Sequence, residues 1–359
     1  MPIIKPSITQ ANTLLPEWHP QSAVLLTWPH QYSDWAAQLS SPASAIEAFY
    51  LELVDTISHY QACAIICYDQ PHKQHITDLL KTHKIKTDHI GFYTIPTNDT
   101  WIRDYGPIST ISSKQSLHLL NFEFNAWGNK YPGDKDNLVN LQLHQQHAFP
   151  GASFSSLPWV LEGGSIDTDG QGTILTTTKC LLSKTRNPEQ NKANIEQVLG
   201  EYLGARKVLW LNHGSLEGDD TDAHVDTLAR FTNPDTICYM CCDQTQDPHY
   251  RSLKSMEKTL KTFCKQNGDP YKLVPLPWPK PKTNQQGERL PATYANFLII
   301  NNAVLVPTYD DSADEKALSI FRELFPDRQV VGLNCTNLIE QFGSLHCATM
   351  QLPEGINEQ

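Results

Sequence analysis

One cysteine lies near the end of the 359-residue chain, in Phe342-Gly343-Ser344-Leu345-His346-Cys347-Ala348-Thr349-Met350. A thiol beside a small-residue turn is either a packed apolar group or a nucleophile. Three polar clusters upstream bear on the choice. The first, Asn98-Asp99-Thr100-Trp101-Ile102-Arg103-Asp104-Tyr105-Gly106-Pro107, sets a carboxylate beside an aromatic face. A turn with a locally paired Arg103 and Asp104 explains it as well as a site for a planar cation does. The second, Leu161-Glu162-Gly163-Gly164-Ser165, ends an apolar run with a carboxylate and two glycines that open the backbone. Asp167 and Asp169 begin like a calcium loop, but Thr178 stands where a bidentate Glu is required, and Asp169-Gly170 reads as a hairpin turn. The third is Glu217-Gly218-Asp219-Asp220-Thr221-Asp222-Ala223-His224-Val225-Asp226. Its first half reads as a solvated acidic loop. His224 and Asp226, placed on a strand, face the same side, and Leu228 and Phe231 mark entry into the core.

Together these clusters offer one thiol (Cys347), one imidazole (His224) and three carboxylates (Asp104, Glu162, Asp226). That set suits attack on a guanidinium. The group is planar and permanently charged, so it is a poor electrophile in water. Paired carboxylates grip its nitrogens and orient its carbon. A thiolate attacks, and an imidazole protonates the departing ammonia and then activates water. His346 is a poor base for Cys347, because neighbours on an extended segment point to opposite faces. Zinc held by His224, Asp226 and His213 or Cys347 is the rival reading, and no close ligand-pair motif supports it.

Elements of the right kind flank each cluster. Helical spacing runs through Ile46, Phe49, Tyr50, Leu53, Val54 and Ile57, with Ser41 and Pro42 as a start signal. A strand at 62–67 and a helix near 72–83 follow. Further helices are expected at 187–203 with Gly204 as its stop, at 249–265 and at 312–325, and a weaker one near 135–148. Strands are expected at 208–211 and 329–333. His83 to Asp104, Gly204 to His224 and Phe325 to Cys347 are 21, 20 and 22 residues. Such intervals fit a repeated strand–helix unit that offers one loop per repeat to a shared centre. No Gly/Ser linker divides the chain, so residues 1–359 read as one catalytic domain of repeated β-α units. Segment 275–291 is Pro-rich and polar, and reads as a long surface loop, perhaps a lid over the site.

Hydrophobic content of 40% and charged content of 19% suit a globular chain with a substantial core. The net charge of −11 disfavours nucleic acid and anionic membranes and favours cationic small molecules. No apolar run reaches the length of a membrane span, and residues 1–20 lack the apolar core of a signal peptide. Nine irregularly spaced cysteines point to free thiols in a reducing cytoplasm.

The quoted clusters, with Pro16-Glu17-Trp18, Trp28-Pro29-His30, Asn125-Ala126-Trp127-Gly128-Asn129-Lys130-Tyr131-Pro132, Asn296-Phe297 and His346-Cys347, resemble the agmatine deiminases. These belong to the guanidine-modifying (pentein) superfamily, related to bacterial peptidyl-arginine deiminases. The resemblance spans residues 16–353. It implies a five-bladed, pseudo-symmetric α/β propeller with the site on its axis. It implies hydrolysis of agmatine to N-carbamoylputrescine and ammonia, a step of polyamine biosynthesis, without metal or organic cofactor, by a homodimer. By analogy Cys347 is the nucleophile and His224 the acid/base. Asp104 and Asp226 hold the guanidinium with help from Glu162, and Trp101, Asp220 and Asn302 contact substrate. Arginine, peptidyl arginine or another guanidine is the alternative substrate. The family usually carries glycines before the Asn-Ile-His-Cys run; here the stretch is Gln341-Phe342-Gly343-Ser344-Leu345. Between Tyr105 and Thr185 there is no Arg to meet a substrate carboxylate.

Overall fold

The structure is a computed structural model that describes residues 12–40 and 44–356. Its chain path repeats. In one unit Ile166–Thr168 and Thr173–Thr177 pair antiparallel, helix Lys192–Leu203 crosses over, and Lys207–Leu211 joins parallel to the second strand. Ala229–Asn233, Thr236–Met240, helix Tyr250–Leu260 and Lys272–Leu276 repeat it. So do Leu298–Ile300, Ala303–Thr308, helix Asp314–Leu324 and Gln329–Asn334. Ile108–Ser112, Leu117–Glu123 and Ala152–Val160 form a fourth sheet, edged by Asn12–Leu14. The last sheet joins the two ends of the chain. Thr349–Pro353 lies antiparallel to Gln21–Thr27, which continues in parallel to Ala62–Cys67 and Ile90–Thr94. Among the described residues no sheet closes on itself.

Local sequence explains most boundaries. Gly170 and Gly172 take φ of 69° and 84°, which the tight turn after Thr168 requires. Asp69 caps helix Gln70–Thr82 by accepting from the His72 amide at 2.8 Å, and Gly204 ends helix Lys192–Leu203 at φ 68°. That helix starts later than its spacing suggests. Asn187 instead brackets Val160, donating to its carbonyl at 2.9 Å and accepting from its amide at 3.2 Å, and Asn191 is the cap. The start signal at Ser41-Pro42 lies outside the described residues; helix Ala45–Ser58 begins at Ala45 with Ser44 as its cap.

The helix at 45–58 buries all six residues of its apolar stripe against strands Gln21–Thr27 and Ala62–Cys67. Each such side chain contributes about 1.5–3 kcal/mol by leaving water. Segment 275–291 is not structureless. It holds a two-stranded ribbon, Lys282–Thr283 with Arg289–Leu290, and Trp278 donates to Asp247 at 2.9 Å. No helix among the described residues is long and apolar enough to cross a membrane.

Candidate active site

The polar clusters meet at one glycine. A Cβ on Gly164 would lie 2.7 Å from Asp104 Oδ1, 2.7 Å from His224 Nδ1 and 3.0 Å from Asp226 Oδ2. Only a bare backbone admits three functional side chains so closely. The Gly164 amide donates to Asp104 Oδ1 at 3.0 Å, and Trp127 Nε1 donates to Oδ2 at 2.9 Å, so both oxygens are fixed. Gly163 packs on the Arg103 carbonyl, where a Cβ would collide. Asp104 and Arg103 are not paired with each other. Arg103 turns the other way, donating to Gln351 at 2.6 Å and to the His346 carbonyl at 3.3 Å, while its amide donates to the Cys347 carbonyl at 3.2 Å. The short helix Ile102–Tyr105 therefore carries Asp104 and braces the Cys347 backbone together.

Asn296 holds the cysteine from the other side. Its Oδ1 accepts from the amides of His346 at 2.8 Å and Cys347 at 3.3 Å, and its Nδ2 donates to Cys347 Sγ at 3.3 Å. Cys347 Sγ lies 3.8 Å from Asp226 Oδ2, and His224 Nδ1 lies 3.5 Å from Asp104 Oδ1.

Two backbone readings are corrected. His224 and Asp226 are not on a strand; they flank and form the 3₁₀ turn Val225–Thr227. The preceding Asp222 and Ala223 take φ of 67° and 64°, a left-handed pair without glycine. Asp219 ties this turn, accepting from the Thr221 amide at 3.0 Å and the Ala223 amide at 2.7 Å. The chain at His346-Cys347 is likewise a turn rather than an extended segment. The His346 ring still points away from the thiol, to Asp226 Oδ2 at 2.8 Å and Glu17 Oε2 at 2.6 Å.

Burial sets the charges of the site. Asp104 is pushed well above the ordinary carboxylate range by burial and by Asp226. Asp226 goes the other way: burial opposes ionisation, but His346, His224 and Arg230 hold it below that range. Burial, against the pull of Asp226, brings His224 down to about 3, so its ring is neutral at pH 7. Cys347 is raised by burial, then by Asp226 and Asp104, which keeps it a thiol. Four buried atoms here have no protein partner: Asp226 Oδ1, Glu162 Oε2 and both His224 nitrogens.

Glu162 is fully buried, and burial raises its carboxyl against the pull of Arg186. Arg186 donates to Glu162 Oε1 at 2.8 Å, to Asp222 Oδ2 at 2.7 Å and to the Thr221 carbonyl at 2.8 Å. It stands one position beyond the Arg-free stretch, and its bonds all go to protein groups. Glu162, Cys180 and His224 are the one group of three possible metal donors within 4.8 Å of one another among the described residues. Arg186 already neutralises the carboxylate of that group. His213 of the zinc alternative is exposed.

A pocket opens above Cys347 and Asp104. Trp101, Trp127, Tyr131 and Phe342 line its walls, and Asp34, Asp99 and Asp220 line it further out. Neither Lys nor Arg lines it, and no residue of 275–291 does. Asp220 Oδ2 accepts from the Tyr131 hydroxyl at 2.6 Å. Trp101 packs against Gly343, where a Cβ would collide with its ring. Asn302 is elsewhere. It sits exposed at φ 61° in the hairpin turn between Leu298–Ile300 and Ala303–Thr308, where Asn suits the left-handed turn. Asn296, Trp127, Arg186, Asp34 and Asp99 were not among the expected site residues. Asn296 and Trp127 lay inside quoted motifs; the others carried no local signal.

Residues 13–353 match the family described as the Porphyromonas-type peptidyl-arginine deiminases. The chain belongs to this family. A Vibrio parahaemolyticus relative provisionally named agmatine deiminase is 33% identical over 355 residues, 94% of this chain and 95% of its own. A crystal structure provisionally named peptidyl-arginine deiminase superposes with a TM-score of 0.90 at 43% identity, covering 96% of this chain and 99% of that one. An agmatine deiminase of C. jejuni, solved with substrate bound, superposes with a TM-score of 0.87 at 37% identity, covering 96% and 97%. This α/β fold is thus shared with deiminases over nearly its whole length.

Proposed function

We propose that this chain hydrolyses agmatine to N-carbamoylputrescine and ammonia through a covalent adduct on Cys347. The observation that carries the reading is the charge layout of the pocket. Carboxylates stand at both ends, Asp104 by Cys347 and Asp34, Asp99 and Asp220 outside, with no basic side chain between. A dication with a guanidinium at one end and an ammonium at the other fits that layout. The α-carboxylate of arginine would meet only anions.

The steps follow from the protonation states. In the empty site Cys347 is a thiol and His224 is neutral. An arriving guanidinium offsets the Asp104 and Asp226 charges that hold the thiol proton, and Asp226 Oδ1 and Glu162 Oε2 are open to its N–H groups. His224 accepts the thiol proton, and sulfur attacks the guanidinium carbon. The C–N bond to a terminal nitrogen breaks as His224 returns the proton, and ammonia leaves. His224 then takes a proton from water, the hydroxide adds to the amidino carbon, and the C–S bond breaks to give the ureido product and the thiol. The repeated units are then blades of a five-bladed propeller in one catalytic domain. The relation of this family to peptidyl-arginine deiminases keeps arginine and peptidyl arginine as the second reading. A substrate panel of agmatine, arginine and an N-acyl arginine amide, read by ureido colour, decides. No product from agmatine with a folded preparation removes the first reading.

A further inference from the structure

The reaction above uses neither Glu17 nor His346, yet both are wired into it. His346 is 3% exposed and Glu17 5%. The ring lies between two carboxylates, with Nδ1 2.8 Å from Asp226 Oδ2 and Nε2 2.6 Å from Glu17 Oε2. Glu17 has no proton to give. Its Oε1 accepts from the Ile299 amide at 2.6 Å, and its Oε2 also accepts from Arg230 at 2.8 Å. Burial pushes its carboxyl up, yet Arg230, His346 and Arg103 hold it well below the usual range. An ionised carboxylate only accepts, so a ring between two of them must donate from both nitrogens.

We propose that His346 is a positioning residue, an imidazolium clamped between Glu17 and Asp226 that fixes Asp226 Oδ2 and leaves Oδ1 facing the guanidinium. Asp226 Oδ1 is buried without a protein partner, as this requires. The clamp has charged neighbours on every side. Arg103 Nη2 lies 3.8 Å from Glu17 Oε2, and Arg230 bridges Glu17 to Asp167 at 3.2 Å. On the substrate side stand Cys347, His224 and Asp104. The arrangement matches a carboxylate–histidine pair that orients a catalytic group, with the order reversed: here the histidine orients the carboxylate. Without the cation, burial would protonate Asp226, and its hold on a cationic substrate would go.

The inference rests on the deiminase reading for its ligand but not for its geometry, and the test separates the two. Histidine-¹⁵N-labelled protein carrying Cys347→Ser is examined by NMR, with the His346 signals assigned by their loss in His346→Gln. Both ring nitrogens are expected to carry protons from about pH 6 to pH 9, well past the ordinary histidine range. A bare ring nitrogen over that range overturns the clamp. This readout needs neither substrate nor a folded His346 variant. Agmatine binding is then measured by calorimetry. Cys347→Ser/His346→Gln is expected to bind about ten- to a hundred-fold more weakly, with the loss growing as pH falls. Equal affinity and an unchanged pH profile, with only a lower melting temperature, would reduce His346 to a structural prop and overturn the proposal. If Cys347→Ser binds arginine and not agmatine, the substrate reading falls, and the same comparison is run with arginine.

Discussion

The pocket holds carboxylates at its floor and at its rim, and the two sets are built differently. At the floor Asp104, Asp226 and Glu162 are 3% exposed or less, and each is tied to a named donor. At the rim Asp34 is exposed, and Asp99 and Asp220 are half-buried. A floor carboxylate acts through the position of individual oxygens, in a medium that makes each contact strong. A rim carboxylate acts mainly through its field, which water and salt weaken. The floor is thus suited to bond-making, and the rim to choosing what enters.

The sharpest break of that contrast is at the nucleophile. Cys347→Ser is expected to lose turnover by at least about 10⁴-fold with an unchanged melting temperature, and mass spectrometry of acid-quenched wild-type protein should find an amidino adduct on Cys347. Next come matched substitutions at the two ends. Asp226→Asn should lower kcat/KM by about 10²–10³-fold, because it removes an oriented anion and strands the His346 cation. Asp220→Asn should raise KM for agmatine about tenfold and leave kcat within about twofold. Equal effects on kcat at the two ends would erase the distinction.

A pH measurement sharpens it further. Burial, with Asp34 and Asp220 nearby and against the Thr100 amide, brings Asp99 up to about 7. Below that pH Asp99 is neutral, and above it carries charge. A cationic substrate favours the charged form, so agmatine affinity should rise with pH through about 7 and then level. Binding near neutrality should release protons, seen as a buffer-dependent heat in calorimetry of Cys347→Ser. Adding Asp99→Asn should flatten both. A pH-independent affinity in the Asp99-containing protein would show that the rim does not read the substrate's charge.

The two ends also differed in how far the sequence disclosed them. Apolar spacing located strand Ala62–Cys67 to the residue, and Pro326 marked the stop of helix Asp314–Leu324. Local patterns carry such features because local backbone preferences produce them. The meeting of Asp104, His224 and Asp226 on Gly164 depends on contacts 60 residues or more away in the chain, and only the joint chemistry of the clusters hinted at it. The left-handed turn at Asp222-Ala223 lacks the glycine that would have announced it, so a strand was the natural expectation. Asn302 misled for the opposite reason: its signal was real but belonged to a hairpin turn. Arg186 and Glu17 have long-range partners, which composition and spacing do not carry.

The smallest expected effect lies where floor and rim join. Phe342 takes φ 67° with its side chain half-buried on the pocket wall, at a place where glycine would sit without strain. The left-handed conformation costs a residue with a Cβ about 1–2 kcal/mol. Keeping Phe there implies an offsetting benefit, and the ring's contact with the pocket is the visible candidate. Phe342→Gly relieves the strain but loses ring burial and gains freedom in the unfolded chain, so stability should change by no more than about 1 kcal/mol. Its mark should appear in selection. KM for agmatine should rise by about three- to tenfold while kcat stays near its original value, because Cys347 and its partners keep their bonds. The preference for agmatine over other guanidines should narrow by a similar factor. A fall in kcat instead would place Phe342 with the floor, as part of what aligns the turn that carries Cys347.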